Sequence, residues 1–203
     1  MKRRSKKRGF SLAEILVSVA IMAVIAAVVI PSIGGQLNKG DTGRVTGDLT
    51  SVRGAVEQFL ADVRRYPSAM VQLQKLPGTS LAAGDSGINN TGVFTASQVA
   101  RWRGPYMTKD FAGASGIAGG VTGYGQTMVA FFRTCDNTTN TLTSCSAPAA
   151  TGRYLTIAIP GLSQAEAQDI DNVMDDGNLN TGQIRWITGG AKDTLRYLAL
   201  PIQ

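Results

Sequence analysis

The feature that most constrains this chain is an unbroken apolar run, Phe10 to Ile33, which carries a single ionisable side chain, Glu14. As a helix it would be about 36 Å long at roughly 1.5 Å per residue, enough to cross a hydrocarbon layer of about 30 Å. Six cations, Lys2, Arg3, Arg4, Lys6, Lys7 and Arg8, stand immediately before it. Positive residues beside an apolar segment stay on the cytoplasmic side, so the remainder of the chain is expected across the membrane.

The same cluster explains the net charge of +6, because from residue 9 onward 14 cations face 14 acids. A nucleic-acid surface on the folded part is therefore not expected, since the excess charge sits wholly in the leader. With no histidine and two cysteines in 203 residues, triad chemistry and the usual zinc ligand sets are excluded. No phosphate loop, nucleophile elbow or metal triad is legible, so the chain reads as no enzyme. A membrane-anchored enzyme or binding module stays as the less favoured reading.

A secretory cleavage site after the run is a poor fit, because Pro31-Ser32-Ile33-Gly34-Gly35 lacks the small-residue pattern. The small residue lies before the run instead. Cutting between Gly9 and Phe10 would discard the cations and leave the apolar segment as the new N-terminus. A carboxylate inside a membrane helix costs roughly 2.5 to 3.5 kcal/mol at the helix centre and somewhat less toward the interface. Glu14 is thus either an interfacial residue that snorkels, or one awaiting a partner. The amine of Phe10 on a neighbouring copy, freed by cleavage, would serve.

Gly9-Phe10-Ser11-Leu12-Ala13-Glu14, after a basic leader and before an apolar helix, resembles the type IV prepilin signal. Pro31 stands where that family commonly carries a helix-kinking proline. The resemblance implies cleavage after Gly9 by prepilin peptidase, N-methylation of Phe10, and stacking of N-terminal helices into a filament core. Arg65-Tyr66-Pro67 and Trp102-Arg103-Gly104-Pro105-Tyr106 are similar to the Y-P and W-x-G-P-Y elements of major pseudopilins of type II secretion systems. Tyr66, Trp102 and Tyr106 read equally well as core aromatics held by proline turns, which is compatible with that family.

The family implies an α+β pilin fold: a long N-terminal helix packed on a small antiparallel sheet. We divide the chain into a cleaved leader, 1–9, a membrane and filament-core helix, 10–33, an amphipathic continuation, 34–66, and a head, 67–203. Pro31, Gly34 and Gly35 should loosen the helix. Val45, Leu49, Val52, Val56, Phe59 and Val63 then recur at alternating spacings of four and three, the stripe of an amphipathic helix ending near Tyr66-Pro67. Residues 77–123 read mostly as loop, broken by a short helix at 95–102. Strands are expected at 127–133, 153–159, 183–188 and 195–200, with one face of the sheet on the stripe.

Two further groups bear chemistry. Ser163 and Glu166 form a capping-box pattern that opens a short helix ending near Gly177. Asp171, Asp175, Asp176, Asn178 and Asn180 gather oxygens around that turn, either as a calcium site without EF-hand order or as a solvated acidic loop. Asp175 and Asp176 also have Arg185 within reach as a partner. Cys135 and Cys145 enclose a polar segment, and export would favour a disulfide closing it over two free thiols.

The leading expectation is a structural subunit stored in the inner membrane, head in the periplasm, that enters a type II secretion pseudopilus and helps drive protein export. A type IV pilus subunit, for adhesion, motility or DNA uptake, is the alternative. The resemblance implies as partners further copies of the chain, other pilin-like subunits, the prepilin peptidase and methyltransferase, an inner-membrane platform and a cytoplasmic ATPase. No cofactor is expected apart from the calcium in question.

Overall fold

The computed structural model describes residues 10–67, 69–74, 94–108, 118–135, 143–144, 153–188 and 193–202. Two compact units divide it, residues 1–39 and 40–203. One helix, α1, runs Leu12–Val63 through both. Helical assignment is unbroken at Pro31, Gly34 and Gly35, so the expected soft joint does not end the helix.

In the first unit the apolar stretch Leu12–Val29 of α1 stands bare. None of the window Leu12–Val29 is buried, and by length and composition it is the one helix among the described residues able to cross a membrane. Leu12 and Leu16 are exposed, as is Phe10, which keeps 85% of its surface. A water-soluble fold does not leave so continuous an apolar surface without a cover.

In the second unit the α1 stripe is buried as its spacing predicts. Val45, Leu49, Val52, Val56, Phe59 and Val63 are all fully covered. The amphipathic segment from Gly40 onward thus lies in one compact unit with the head. The helix also stops earlier than Tyr66-Pro67 implied. Arg64 takes a left-handed backbone, with φ of 62°, and its N–H still closes on the Leu60 carbonyl at 2.9 Å. That single residue ends the helix before proline has to.

Six strands form one antiparallel sheet: β1 Ala118–Val121, β2 Thr127–Cys135, β3 Thr143–Ser144, β4 Arg153–Pro160, β5 Ile184–Ile187 and β6 Thr194–Pro201. The order is β1-β2-β4-β6-β5, with β3 also pairing β2. All four expected strands are present within a few residues of their expected ends. The reading of 77–123 as loop is corrected at β1, whose Ala-Gly-Gly-Val sequence has little strand propensity and is held by pairing with β2. The expectation of one covered face is also corrected at β4. It lies between β2 and β6, and Thr156 and Ala158 are buried along with Leu155, Ile157 and Ile159.

Among the described residues the head also carries two short α-helices. One, α2, spans Ala96–Val99 and is opened by a Thr95–Gln98 capping box; the other, α3, spans Gln164–Met174 and is opened by the expected Ser163–Glu166 box. Gly123 brings the β1–β2 turn against α1. A Cβ there would lie 2.2 Å from the Asp41 carbonyl oxygen, so only glycine permits the approach. Beside it the Tyr124 hydroxyl meets Thr42 Oγ1 at 2.6 Å.

Candidate functional site

Three groups of residues carry the sequence expectations. The first is the start of α1. Gly9 lies outside the described residues, and Phe10 is the exposed residue before the helix. Ser11 is the N-cap: the Glu14 N–H donates to Ser11 Oγ at 3.2 Å, and the Ser11 N–H donates to Glu14 Oε2 at 2.8 Å. This is a reciprocal capping box, which satisfies two of the four N–H groups that every helix start leaves open. The same Ser-x-x-Glu spacing that marks α3 is present here, and reading the carboxylate only as a membrane charge missed it. Among the described residues the Glu14 carboxylate bonds only to Ser11, within its own first turn.

The second group is the aromatic cluster at the end of α1. Tyr106 packs edge-on to both Phe59 and Trp102, with ring centres 5.8 and 5.6 Å apart. Its hydroxyl donates to Asp62 Oδ2 and accepts from the Arg103 N–H, each at 2.9 Å. Burial first, then the neighbouring carboxylate, pushes that phenol up to about 12. Trp102 Nε1 donates to the Gln72 carbonyl at 2.9 Å, and Tyr66 Oη to the Pro201 carbonyl at 3.0 Å. Gly104 has no room for a side chain, since a Cβ would lie 2.3 Å from the Trp102 ring. Pro67 is buried and Pro105 exposed. Tyr66 and the Trp102-to-Tyr106 segment, far apart in sequence, therefore tie α1 to the sheet and to the turn at Met70–Leu73. Their role is packing, and every aromatic hydroxyl or ring N–H among them has a partner, as buried Tyr and Trp require.

The third group is acidic. Ligand oxygens of Asp171, Asp175 and Asp176 all lie within 4.8 Å of one another. Asp171, on α3, is wholly buried, and neither of its carboxylate oxygens has a hydrogen-bond partner. Burial raises its pKa to about 6, the charges of Asp175 and Asp176 add to that, and Arg185 opposes it. The other two carboxylates are already engaged. Asp175 Oδ2 accepts from the Gln183 and Ile184 N–H groups, and Asp176 Oδ1 accepts from the Asn178 N–H at 2.9 Å. Asn178 Oδ1 turns back to the Asn180 N–H at 3.1 Å, and the Asn180 carbonyl accepts from Arg185 Nη1. The three aspartates are brought together, while Asn178 is used by the turn itself. Two orphaned buried oxygens beside two more carboxylates fit a hard divalent cation, which takes oxygen ligands and cancels the charge that burial penalises.

Cys135 ends β2 opposite Thr143 of β3, and Cys145 lies outside the described residues.

A family model, the prokaryotic N-terminal methylation motif, matches residues 4–30. The chain is similar to curated proteins named type II secretion system core protein G. That of Klebsiella michiganensis is 36% identical over 74 residues, covering 36% of this chain and 52% of that protein. Its counterpart in Klebsiella pneumoniae is 38% identical over 71 residues, covering 35% and 51%. The Escherichia coli protein is 32% identical over 76 residues, covering 37% and 52%. The chain spans about half the length of the curated relatives it matches. No solved structure matches it. The chain thus carries the methylation motif at its N-terminus and an α+β head beyond it.

Proposed function

We propose that this chain is a structural subunit of a pilus-like filament, a pseudopilin of a type II secretion system, anchored in the inner membrane before assembly. One observation carries the reading: no residue of the apolar window Leu12–Val29 is buried, and that window carries a carboxylate at position 14. Such a surface is stable in lipid or in a bundle of like helices, and nowhere else.

Cleavage after Gly9 would turn Phe10 into the chain's first residue, one position from the capping box. Glu14 then serves two partners at once. Oε2 holds the Ser11 N–H of its own helix, and Oε1 accepts the Phe10 amine of the neighbouring copy. Away from water this charge pair is strong, whereas an unpaired Glu14 is costly, so pairing favours the assembled state over the isolated one. The head, with its covered core, forms the outer layer on the periplasmic side. The relatives named type II secretion system core protein G support secretion over an extracellular pilus. The peptidase that cuts the leader, and the platform and ATPase that lengthen the filament, are partners supplied by the cell.

The acidic cluster has a second proposed role within this reading: Asp171, Asp175 and Asp176 hold calcium, which orders the turn between α3 and β5. Mass spectrometry of the mature chain tests the main proposal. A chain beginning with a methylated Phe10 is expected, and a mature N-terminus anywhere else would end it.

A further inference from the structure

The sheet ends at β5, whose one neighbour among the described strands is β6. In an antiparallel pair, alternate residues turn their backbone groups toward the partner strand and away from it. The Leu198 N–H donates to the Gln183 carbonyl at 2.8 Å, and Arg185 stands opposite Arg196 in the same register, so residues 183, 185 and 187 face β6. Ile184 and Trp186 therefore face the open side. A strand that ends a sheet in this way is a template for any other strand, and Ile-Arg-Trp-Ile, with its β-branched and aromatic residues, is a strong one.

Both outward N–H groups are nevertheless taken, and by one turn. The Ile184 N–H donates to Asp175 Oδ2 at 3.2 Å, where the Gln183 N–H donates as well, and the Trp186 N–H donates to the Leu179 carbonyl at 3.0 Å. Gly182, at φ of 68°, admits the carboxylate, since a Cβ there would overlap it. The Leu179 side chain is buried in the core, and Asp176 holds the turn to itself by accepting from the Asn178 N–H and the Thr181 hydroxyl.

We propose that residues 175–182 are a strap that stands in for a further strand, and that it keeps β5 of one copy from pairing with β5 of another. The competitor is a second copy because this edge is complementary to itself across a two-fold axis. Centred on Trp186, such a pairing exchanges two hydrogen bonds between the two Trp186 backbones and sets Arg185 against Ile187 rather than against a second arginine. Subunits gathered in one membrane or one filament meet their own kind at high local density, where an open edge is a hazard. The strap itself depends on neither filament assembly nor calcium.

The experiment uses the full-length chain in detergent micelles, with chelator throughout so that calcium plays no part. Amide hydrogen exchange is read at low protein concentration and sedimentation at high. In the wild type the Ile184 and Trp186 amides should exchange as slowly as that of Arg185, which faces β6. Asp175→Ala should speed exchange at Ile184 by about a hundredfold, the scale of a hydrogen bond to a charged acceptor, while Arg185 changes little. The same variant should double the protein mass per micelle. Asp175→Asn keeps a side-chain oxygen to accept the bond, and should restore most of the protection and the wild-type mass. Wild-type Ile184 and Trp186 amides that exchange like those of an open turn would overturn the strap. So would Asp175→Ala that stays protected, or that loses protection and keeps the wild-type mass. If Asp175→Ala does not melt cooperatively, Gly182→Ala, which displaces the same carboxylate, is read in its place. Each of these failures leaves the filament reading standing, and a mature chain that begins elsewhere than Phe10 leaves the strap standing.

Discussion

The Ser11 N–H donates to Glu14 Oε2 at 2.8 Å, so the one acid in the apolar segment is bound to the start of its own helix. This separates two roles that sequence alone merges. Ser11→Ala removes the N-cap, at a cost of about 1 kcal/mol to the helix start, and leaves the carboxylate in place. Filament yield should stay close to wild type. Glu14→Leu keeps the apolar run, so membrane insertion should be normal while filaments are lost. Fractionation and electron microscopy of the two variants read the difference, and a Glu14→Leu chain that assembles would show that the carboxylate only caps.

Two glycines of the head should respond in opposite directions to alanine. At Gly104 a Cβ would meet the Trp102 ring at 2.3 to 2.8 Å, so the indole must leave its place between Tyr106 and the Gln72 carbonyl. We expect Gly104→Ala to cost about 1 to 3 kcal/mol, the usual range for overpacking. Gly54 sits inside α1, where an added Cβ would meet nothing within 4 Å. There Gly54→Ala should add up to about 1 kcal/mol by helix propensity. Thermal melting in matched buffer checks both signs.

Cys135 and Cys145 should be paired in chain recovered from an oxidising compartment. The β2–β3 register sets Cys135 opposite Thr143, and Cys145 follows two positions later in sequence. Closing so short a loop contributes about 2 to 3 kcal/mol. Intact mass with and without reductant should differ by two hydrogens, and free thiols in both samples would refute the pairing.

How much was legible varied with how local the controlling interaction is. The α1 stripe, Val45 to Val63, was readable because helical period alone decides which side chains face inward. The Ser163 box was readable because cap and partner are three residues apart. Helix termination at Arg64 was not, since a left-handed backbone at arginine has no sequence signature, whereas Pro67 has a strong one. β1 escaped because Ala118–Val121 owes its strand to its partner. The full burial of β4 escaped because alternation describes one strand, while burial of Thr156 follows from its central place in the sheet. At the site, aspartate spacing brought Asp171, Asp175 and Asp176 together correctly, but that Asp171 alone is buried and without partners depends on how α3 packs.

Asp171 makes the stability of the head depend on pH between about 4 and 6. Its folded pKa, about 6, lies above the ordinary value of 3.8, so the folded state disfavours its ionised form. With calcium chelated, the contribution of Asp171 to stability should be fully present below about pH 4 and lost as pH rises through about 6, by about 3 kcal/mol in all, while Asp176, whose carboxyl is held below its ordinary value by Thr181 and the Asn178 N–H, contributes in the opposite sense as pH falls. Calcium acts on the ionised form, so adding it near neutral pH should raise the melting temperature, by an amount that grows with calcium concentration. Asp171→Asn keeps the shape and removes the charge. That variant should melt higher than wild type in chelator near neutral pH, lose most of the fall between about pH 4 and 7, and respond little to calcium. Melting curves of wild type and variant, with chelator and with calcium at two pH values, decide among these. If saturating calcium leaves the wild-type transition unmoved, the cluster is an acidic turn and Asp171 is kept neutral by its proton instead.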